Sequence, residues 1–294
     1  MKKLLTLLAL TISFSMNAQM ADNSNSPTAS GTYSVAMGYS TEASGDFGST
    51  AMGYETLASG NVSTAMGRSS QATGFASTAM GYTTYAQGQG AASFGRLTTA
   101  SGYYSTVMGG WTTASDYASL VIGQYNSSGS SITNSATAFS TANTAFVIGN
   151  GTASVAKSDA FKVMFNGDAT VSNDLTVSGD VNVSSDARLK SNIISLGSTL
   201  SKLLLIDGKT YTMKKDGKQK IGVLAQDIQK VFPELVGTDD NQMLTVNYQG
   251  LVPVLINALK EQDNKISNQQ VEINRLKEQE KRLERLEQIV AQLD

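Results

Sequence analysis

The chain has no cysteine and no histidine among its 294 residues. Without thiols there are no disulfides and no thiolate metal sites. Without imidazole there is no zinc–histidine site and no Ser-His-Asp triad. Any acid–base chemistry falls to Lys, Tyr, Asp or Glu. Charge is scarce as well as balanced: residues 20–184 hold nine acidic and four basic side chains, and the whole chain stands near neutral at −2. There is no basic stripe, so nucleic acid is not an expected partner. Long apolar runs are missing too. Leu4 to Phe14, the one apolar stretch, is too short for a comfortable membrane span. It follows Lys2 and Lys3 and precedes Asn17-Ala18-Gln19. Basic, apolar and small segments in that order predict a secretory signal cut after Ala18, and a secreted or cell-surface protein. No integral membrane segment is expected after signal removal, and no cofactor or metal is called for.

Repetition fills much of the rest. Ala36-Met37-Gly38, Ala51-Met52-Gly53, Ala65-Met66-Gly67 and Ala79-Met80-Gly81 recur, continued by Ser93-Phe94-Gly95, Val107-Met108-Gly109 and Val121-Ile122-Gly123. The step is 14 residues after a first step of 15. Between them run Ala58-Ser59-Gly60, Ala72-Thr73-Gly74, Ala86-Gln87-Gly88 and Ala100-Ser101-Gly102. Each repeat is thus two short alternating stretches closed by glycine, which permits turns with φ > 0. Fourteen residues suffice for two strands of about four or five residues and two tight turns, one coil of a narrow parallel β-solenoid. Ala faces inward, and Met, Phe and Ile face the opposite side. A coil this thin buries little by itself, so the apolar column needs cover. Three identical chains around an axis would supply it. A flexible Gly/Ser linker would need no fixed register.

These repeats resemble the head of trimeric autotransporter adhesins over about residues 31–125. The resemblance implies a left-handed parallel β-roll that trimerises. Those adhesins end in a membrane β-barrel anchor, for which this chain shows no counterpart, so a trimeric head is implied rather than autotransport. Beyond the repeats, Ala160 to Phe165 alternates like a strand and ends at Asn166-Gly167-Asp168. Ala169-Thr170-Val171, Leu175-Thr176-Val177 and Val181-Asn182-Val183 then predict short strands of a β-shaft or neck. Residues 126–150 are Ser/Thr/Asn-rich and point to no element.

At the border between this charge-poor part and the charged C-terminal third stands Ser185-Asp186-Ala187-Arg188-Leu189-Lys190. Serine needs a base to become a nucleophile, and lysine serves if burial lowers its pKa from about 10.4 toward neutrality. Ser–Lys pairs are an accepted alternative to the histidine triad. A bend or one helical turn would bring hydroxyl and amine together. A Ser/Asp N-cap followed by basic residues explains the same letters without chemistry.

Residues 184–262 resemble the intramolecular chaperone domain of phage tailspikes and endosialidases, a self-cleaving peptidase. Three segments carry the likeness in order: Ser184 to Ile193, Ile221 to Val236, and Val246 to Leu255. The resemblance implies Ser185 as nucleophile and Lys190 as general base. The broken bond would be Ser184–Ser185, with Asp186 and Arg188 as a turn cap and its ion-pair partner. Lys220 to Val223 reads as a strand and Ala225 to Phe232 as a short helix stopped by Pro233. Gln226 and Gln229 belong to scaffold.

From Leu251 the pattern is helical, with Pro253 tolerated in the first turn. Val252, Leu255, Leu259, Ile266, Ile273 and Leu276 fit one heptad register. Leu276, Leu283, Leu286, Val290 and Leu293 fit a second, shifted by three, and Gln262 and Gln269 occupy core positions. A trimeric coiled coil is predicted, with a helix packed on its own domain as the alternative.

The expected order is therefore a signal over 1–18, a linker over 19–30, a β-roll head over 31–125 and a neck over 126–184. A small α+β chaperone and self-cleaving domain over 185–250 and a helix with coiled coil over 251–294 complete it. A homotrimeric fibre or adhesin that cuts itself is the leading expectation; the sequence does not fix its head ligand, for which glycan or extracellular matrix are the candidates. A non-cleaving adhesin with a permanent trimerisation module is the alternative. A glycan-processing fibre is disfavoured by the few paired carboxylates in the head.

Overall fold

The repeat Thr50-Ala51-Met52-Gly53-Tyr54 sets the architecture. In a strand alternate residues face opposite sides. Ala51 is buried inside, while Thr50 and Met52 face out. The next seven residues make a second, shorter strand, Leu57–Ala58, with Ala58 buried against Ala51. A computed structural model describes residues 27–239 and 242–290, and in it this unit repeats along a parallel β-solenoid. The expected signal segment, most of the expected linker and Leu293 lie outside the described residues.

Seven two-residue strands, from Thr28–Ala29 to Thr113–Ala114, stack as one parallel sheet. Thr28–Ala29 thus forms the first short strand within the segment expected to be linker. Five-residue strands, from Val35–Tyr39 to Leu120–Gln124, build the other sheet in unbroken register. The second strand of each coil is shorter than the sequence suggested because the turns consume the difference. A residue with φ near +55° recurs about every seven positions: Val62 (59°), Ser69 (52°), Ala76 (53°) and Thr83 (54°) are examples. Each donates its N–H to the preceding coil, as Ser69 does to the Tyr54 carbonyl at 2.8 Å.

The interior is filled by small side chains. Ala43, Ala58, Ala72 and Ala86 form one column and Ala51, Ala65 and Ala79 another, with Val107, Val121 and Val147 widening the far end. Some of the buried hydroxyls bond to turn carbonyls, as Ser77 Oγ does to Gly74 (2.7 Å) and Ser105 Oγ to Gly102 (2.7 Å), while those of Thr41, Thr56, Ser63 and Thr112 are left without a partner among the described residues. Glycine is obligatory where coils touch. A Cβ on Gly67, whose φ is +107°, would stand 2.2 Å from the Gly81 carbonyl oxygen. On the outer face of the five-residue strands Met37, Met52, Met66, Met80, Phe94, Met108 and Ile122 align in register, with Met108 44% exposed.

Past residue 126 an insertion leaves the coil and returns as Thr144–Asn150, which pairs parallel with Leu120–Gln124. Asp116, fully buried, holds the insertion by accepting the N–H groups of Thr133 (2.7 Å) and Thr144 (2.8 Å). Asp159–Met164 then runs antiparallel, followed by the turn at Asn166-Gly167-Asp168 and the strand Ala169–Val171. The two further strands expected at Leu175–Val177 and Val181–Val183 belong to no sheet of the single chain. A strand is defined by a ladder partner, and neither 175–177 nor 181–183 has one among the described residues.

A second compact unit comprises residues 182–294. A short helix, α1 (Leu200–Leu203), precedes the hairpin Lys209–Thr212/Gln219–Gly222. Helix α2 (Ala225–Val231) ends before Pro233, and the hairpin Val236–Thr238/Leu244–Val246 follows. Ile228, Phe232 and Val254 form the core, lined by Leu203, Val223, Leu235 and Val246. The long helix α3 (Leu251–Val290) contributes Val254 and Ala258 to it. From residue 262 to 290 every side chain of α3 is exposed, so its distal part does not pack on its own domain.

Candidate functional site

Asp186 organises the border sequence. Its carboxylate caps a single 3-10 turn, Ala187–Leu189, by accepting the Arg188 N–H at 2.8 Å. The Arg188 guanidinium returns to the same carboxylate through two edges, Nε at 3.0 Å and a terminal nitrogen at 2.7 Å. This fork holds the Asp186 carboxyl below its usual range and lifts Arg188 above its own. The pair is exposed, with Arg188 89% accessible, so it shapes the turn more than it stabilises the domain. The turn ends where the Lys190 N–H reaches the Ala187 carbonyl at 3.1 Å.

Closing that turn brings the ends of the motif together: Lys190 Nζ donates to Ser185 Oγ at 2.6 Å. A neutral amine at that distance could equally accept the hydroxyl proton. The N-cap reading of the sequence also holds, because Asp186 caps while Ser185 points to the lysine. Ser184, Ser185, Asp186, Arg188 and Lys190 are all exposed in the single chain. Gln226 and Gln229 sit on α2, and neither joins the Ser185–Lys190 pair.

One residue in this unit escaped the sequence. Glu261 of α3 accepts the Thr199 N–H, the Leu200 N–H (3.2 Å) and the Ser198 hydroxyl (2.7 Å). These bonds cap the N-terminus of α1, and Thr199 Oγ1 adds a bond to the Val254 carbonyl at 3.1 Å. The Thr199 N–H, foremost, holds the Glu261 carboxyl below its usual range. Nothing local announces the contact, since Glu261 is one of many glutamates on a charged helix and its partners lie about sixty residues upstream. Elsewhere the Val223 N–H donates to the Tyr248 hydroxyl at 3.2 Å, an exposed bond that joins two of the three recognised segments, which also meet in the core through Ile228, Phe232 and Val254.

Comparison with protein families places both parts of the chain. The model described as YadA head domain repeat (2 copies) matches at residues 29–56, 47–70, 72–97 and 100–126. The model described as Chaperone of endosialidase matches residues 185–237. The chain carries adhesin-type head repeats followed by an endosialidase-chaperone domain. The chaperone match begins at Ser185 and ends before the Val246–Leu255 segment. No curated protein matches the chain. Among the described residues no helix is long and apolar enough to cross a membrane.

Proposed function

We propose that the chain is a homotrimeric, surface-exposed fibre of adhesin type. Its chaperone domain aligns three chains and then cuts the Ser184–Ser185 bond. The observation that carries this reading is the 2.6 Å contact between Lys190 Nζ and Ser185 Oγ, at the first residue of the chaperone match.

The chemistry is intramolecular. Neutral Lys190 takes the Ser185 hydroxyl proton, and Oγ attacks the Ser184 carbonyl carbon through a five-membered ring. Collapse breaks the C–N bond, and Lys190 returns the proton to the Ser185 nitrogen. The resulting ester between the Ser184 acyl group and Ser185 Oγ is hydrolysed by water. The products are a Ser184 carboxylate and a chain starting at Ser185. Each chain turns over once. A lysine does this only when desolvated. The motif is exposed in one chain, so the burial must come from assembled partners, and cleavage then reports a completed trimer.

Helix α3 supplies the reason to trimerise. Its segment 262–290 exposes Ile266, Ile273, Leu276, Leu283 and Val290 and packs on none of the described residues of its own domain. An isolated helix owes most of its stability to packing of its apolar face, and a coiled coil provides it. Parallel β-structure has non-local contacts and folds slowly, so chains held in register by α3 gain a template. Removing that template after folding makes disassembly kinetically hard.

The test is the intact mass of the purified chain beside Ser185→Ala and Lys190→Ala. Two wild-type fragments meeting at Ser184–Ser185, with both variants uncut, are expected. One uncut wild-type mass from a folded trimer would leave a permanent trimerisation module in place of a peptidase.

A further inference from the structure

Between residues 27 and 150 the sequence has only two basic side chains, Arg68 and Arg96. Both close a five-residue strand at the same register position, two coils apart. Arg68 lies between two rings, its guanidinium 5.4 Å from the centroids of Tyr54 and of Tyr82. Arg96 lies between Tyr82 at 5.8 Å and Trp111 at 4.5 Å. Rings and guanidinium groups therefore alternate along the solenoid axis. The array extends at one end by Tyr39 stacked on Tyr54 (4.8 Å) and at the other by Tyr125 on Trp111 (5.0 Å).

Stacking explains why the side chains stand in a row, but leaves the charge unanswered. Both arginines are exposed, and neither has a carboxylate partner among the described residues. Glu55 follows Tyr54, and its carboxylate is the chief cause that pushes the Tyr54 phenol pKa up. This adds a negative group at the Tyr54 end, so the positive stretch runs from Arg68 to Trp111. Tyr82 has a guanidinium on each face and is still 41% exposed, so its edge and hydroxyl carry the exposure. The row thus offers solvent N–H and O–H donors at each coil. Its two fixed positive charges stand about 10 Å apart, two strand spacings.

We propose that this row binds a linear acidic polysaccharide, laid along the solenoid with its carboxylates on Arg68 and Arg96. The inference rests on the reading of the repeats as an adhesin head, and not on self-cleavage. A guanidinium fork suits carboxylate recognition, and stacking between rings keeps it oriented before the ligand arrives. Nucleic acid fits poorly, because the ring faces on which bases would stack are already taken. A polyhydroxylated chain with a straight repeat can meet a donor at each coil and an anion at every second one.

The experiment measures binding of the full chain to immobilised polygalacturonate and hyaluronate, with neutral dextran and polyglutamate as controls. Wild type should bind the two polyuronates, with affinity falling as salt screens the charges. Arg68→Gln/Arg96→Gln should lose about tenfold or more. Arg68→Lys/Arg96→Lys, which keeps the charge without the fork, should lie between. If the glutamine pair also loosens the coils, the lysine pair decides: retained binding supports the site and lost binding overturns it. Absence of wild-type binding to both polyuronates overturns the proposal. So does polyglutamate binding as tight, or a glutamine pair that binds like wild type. Dissociation of the trimer by the glutamine pair would mark the row as a chain–chain contact and overturn it too. Self-cleavage can be followed by mass in the same samples, so failure of either claim is seen separately.

Discussion

The head solenoid and the chaperone domain manage apolar surface in opposite ways. Each head coil satisfies its backbone on the next coil and buries alanine columns within one chain. The chaperone domain has a small core around Ile228, Phe232 and Val254, and exposes Ile193, Ile194, Leu204, Leu205, Ile221 and the whole stripe of α3. The head is specified by close approach of backbones, and the chaperone domain by what it leaves uncovered. Substitutions should therefore fail in different ways: by clash in the head, by loss of partners in the chaperone domain.

The largest effect is expected at the coil contacts. Gly67→Val places a β-branched side chain at φ +107°, with its Cβ 2.2 Å from the Gly81 carbonyl oxygen. Neither backbone can yield without breaking the ladder on both sides. A loss of about 4 kcal/mol or more is expected, in the exceptional class for single changes. Hydrogen exchange of the flanking coils should show it. Gly179→Val is the matched control, since nothing lies within 4 Å of a Cβ there. Equal effects at the two sites would mean that the coils are not held at this spacing.

The chaperone counterpart is Ile273→Asp with Leu276→Asp. Both residues are about half exposed in one chain, so the fold of a monomer should hardly notice them. Charges in a coiled-coil seam should nonetheless abolish the trimer, and cleavage at Ser184–Ser185 with it. Light scattering and intact mass read the two outcomes. A monomeric variant that still cuts itself would separate the Ser185–Lys190 pair from assembly.

A smaller effect is expected at Glu261. Its carboxyl is held below the usual range by the Thr199 N–H and its neighbours, so this bond contributes above the ordinary glutamate pKa. The contribution is lost as pH falls through the lowered folded value. Protection of the Thr199 and Leu200 amides, relative to the intrinsic exchange rate at each pH, should therefore fall on acidification. Glu261→Gln should show the lower protection already at neutral pH, and that protection should no longer change as glutamate would titrate. If the variant titrates like wild type, another group caps α1.

The same contrast decides what was legible in the sequence. Head coils were readable because one 14-residue period writes every contact, with Ala inside, Met outside and Gly at the turns. The length of the second strand was misjudged because left-handed residues such as Ser69 and Thr83 carry no glycine to announce them. Thr144–Asn150 was missed because the insertion before it breaks the period while the geometry continues. Leu175–Val177 and Val181–Val183 have the alternation of strands, but alternation does not supply a partner. In the chaperone domain the Ser185–Lys190 spacing allowed contact, and only the turn capped by Asp186 fixes it at 2.6 Å. Glu261 was invisible because its meaning lies in residues distant along the chain.

The smallest predicted effect tests the head from the favourable side. Val62 has φ 59°, a conformation in which a β-branched residue is an outlier, and about half its surface is exposed. The left-handed region costs an ordinary residue about 1–2 kcal/mol, whereas asparagine tolerates it. Val62→Asn keeps the backbone N–H that donates to the Asp46 carbonyl at 3.2 Å. It gives up little packing, because Val62 lies outside the alanine columns. A gain of about 1 kcal/mol is expected, which for a unit of this size raises Tm by about 2–4 °C. Ser69→Asn, at the other left-handed turn of the same coil, should gain less, since serine carries no β-branch to relieve. An unchanged or lowered Tm in Val62→Asn would show that the head tolerates its recurrent left-handed turns without strain. The glycine columns alone would then set the pitch of the solenoid.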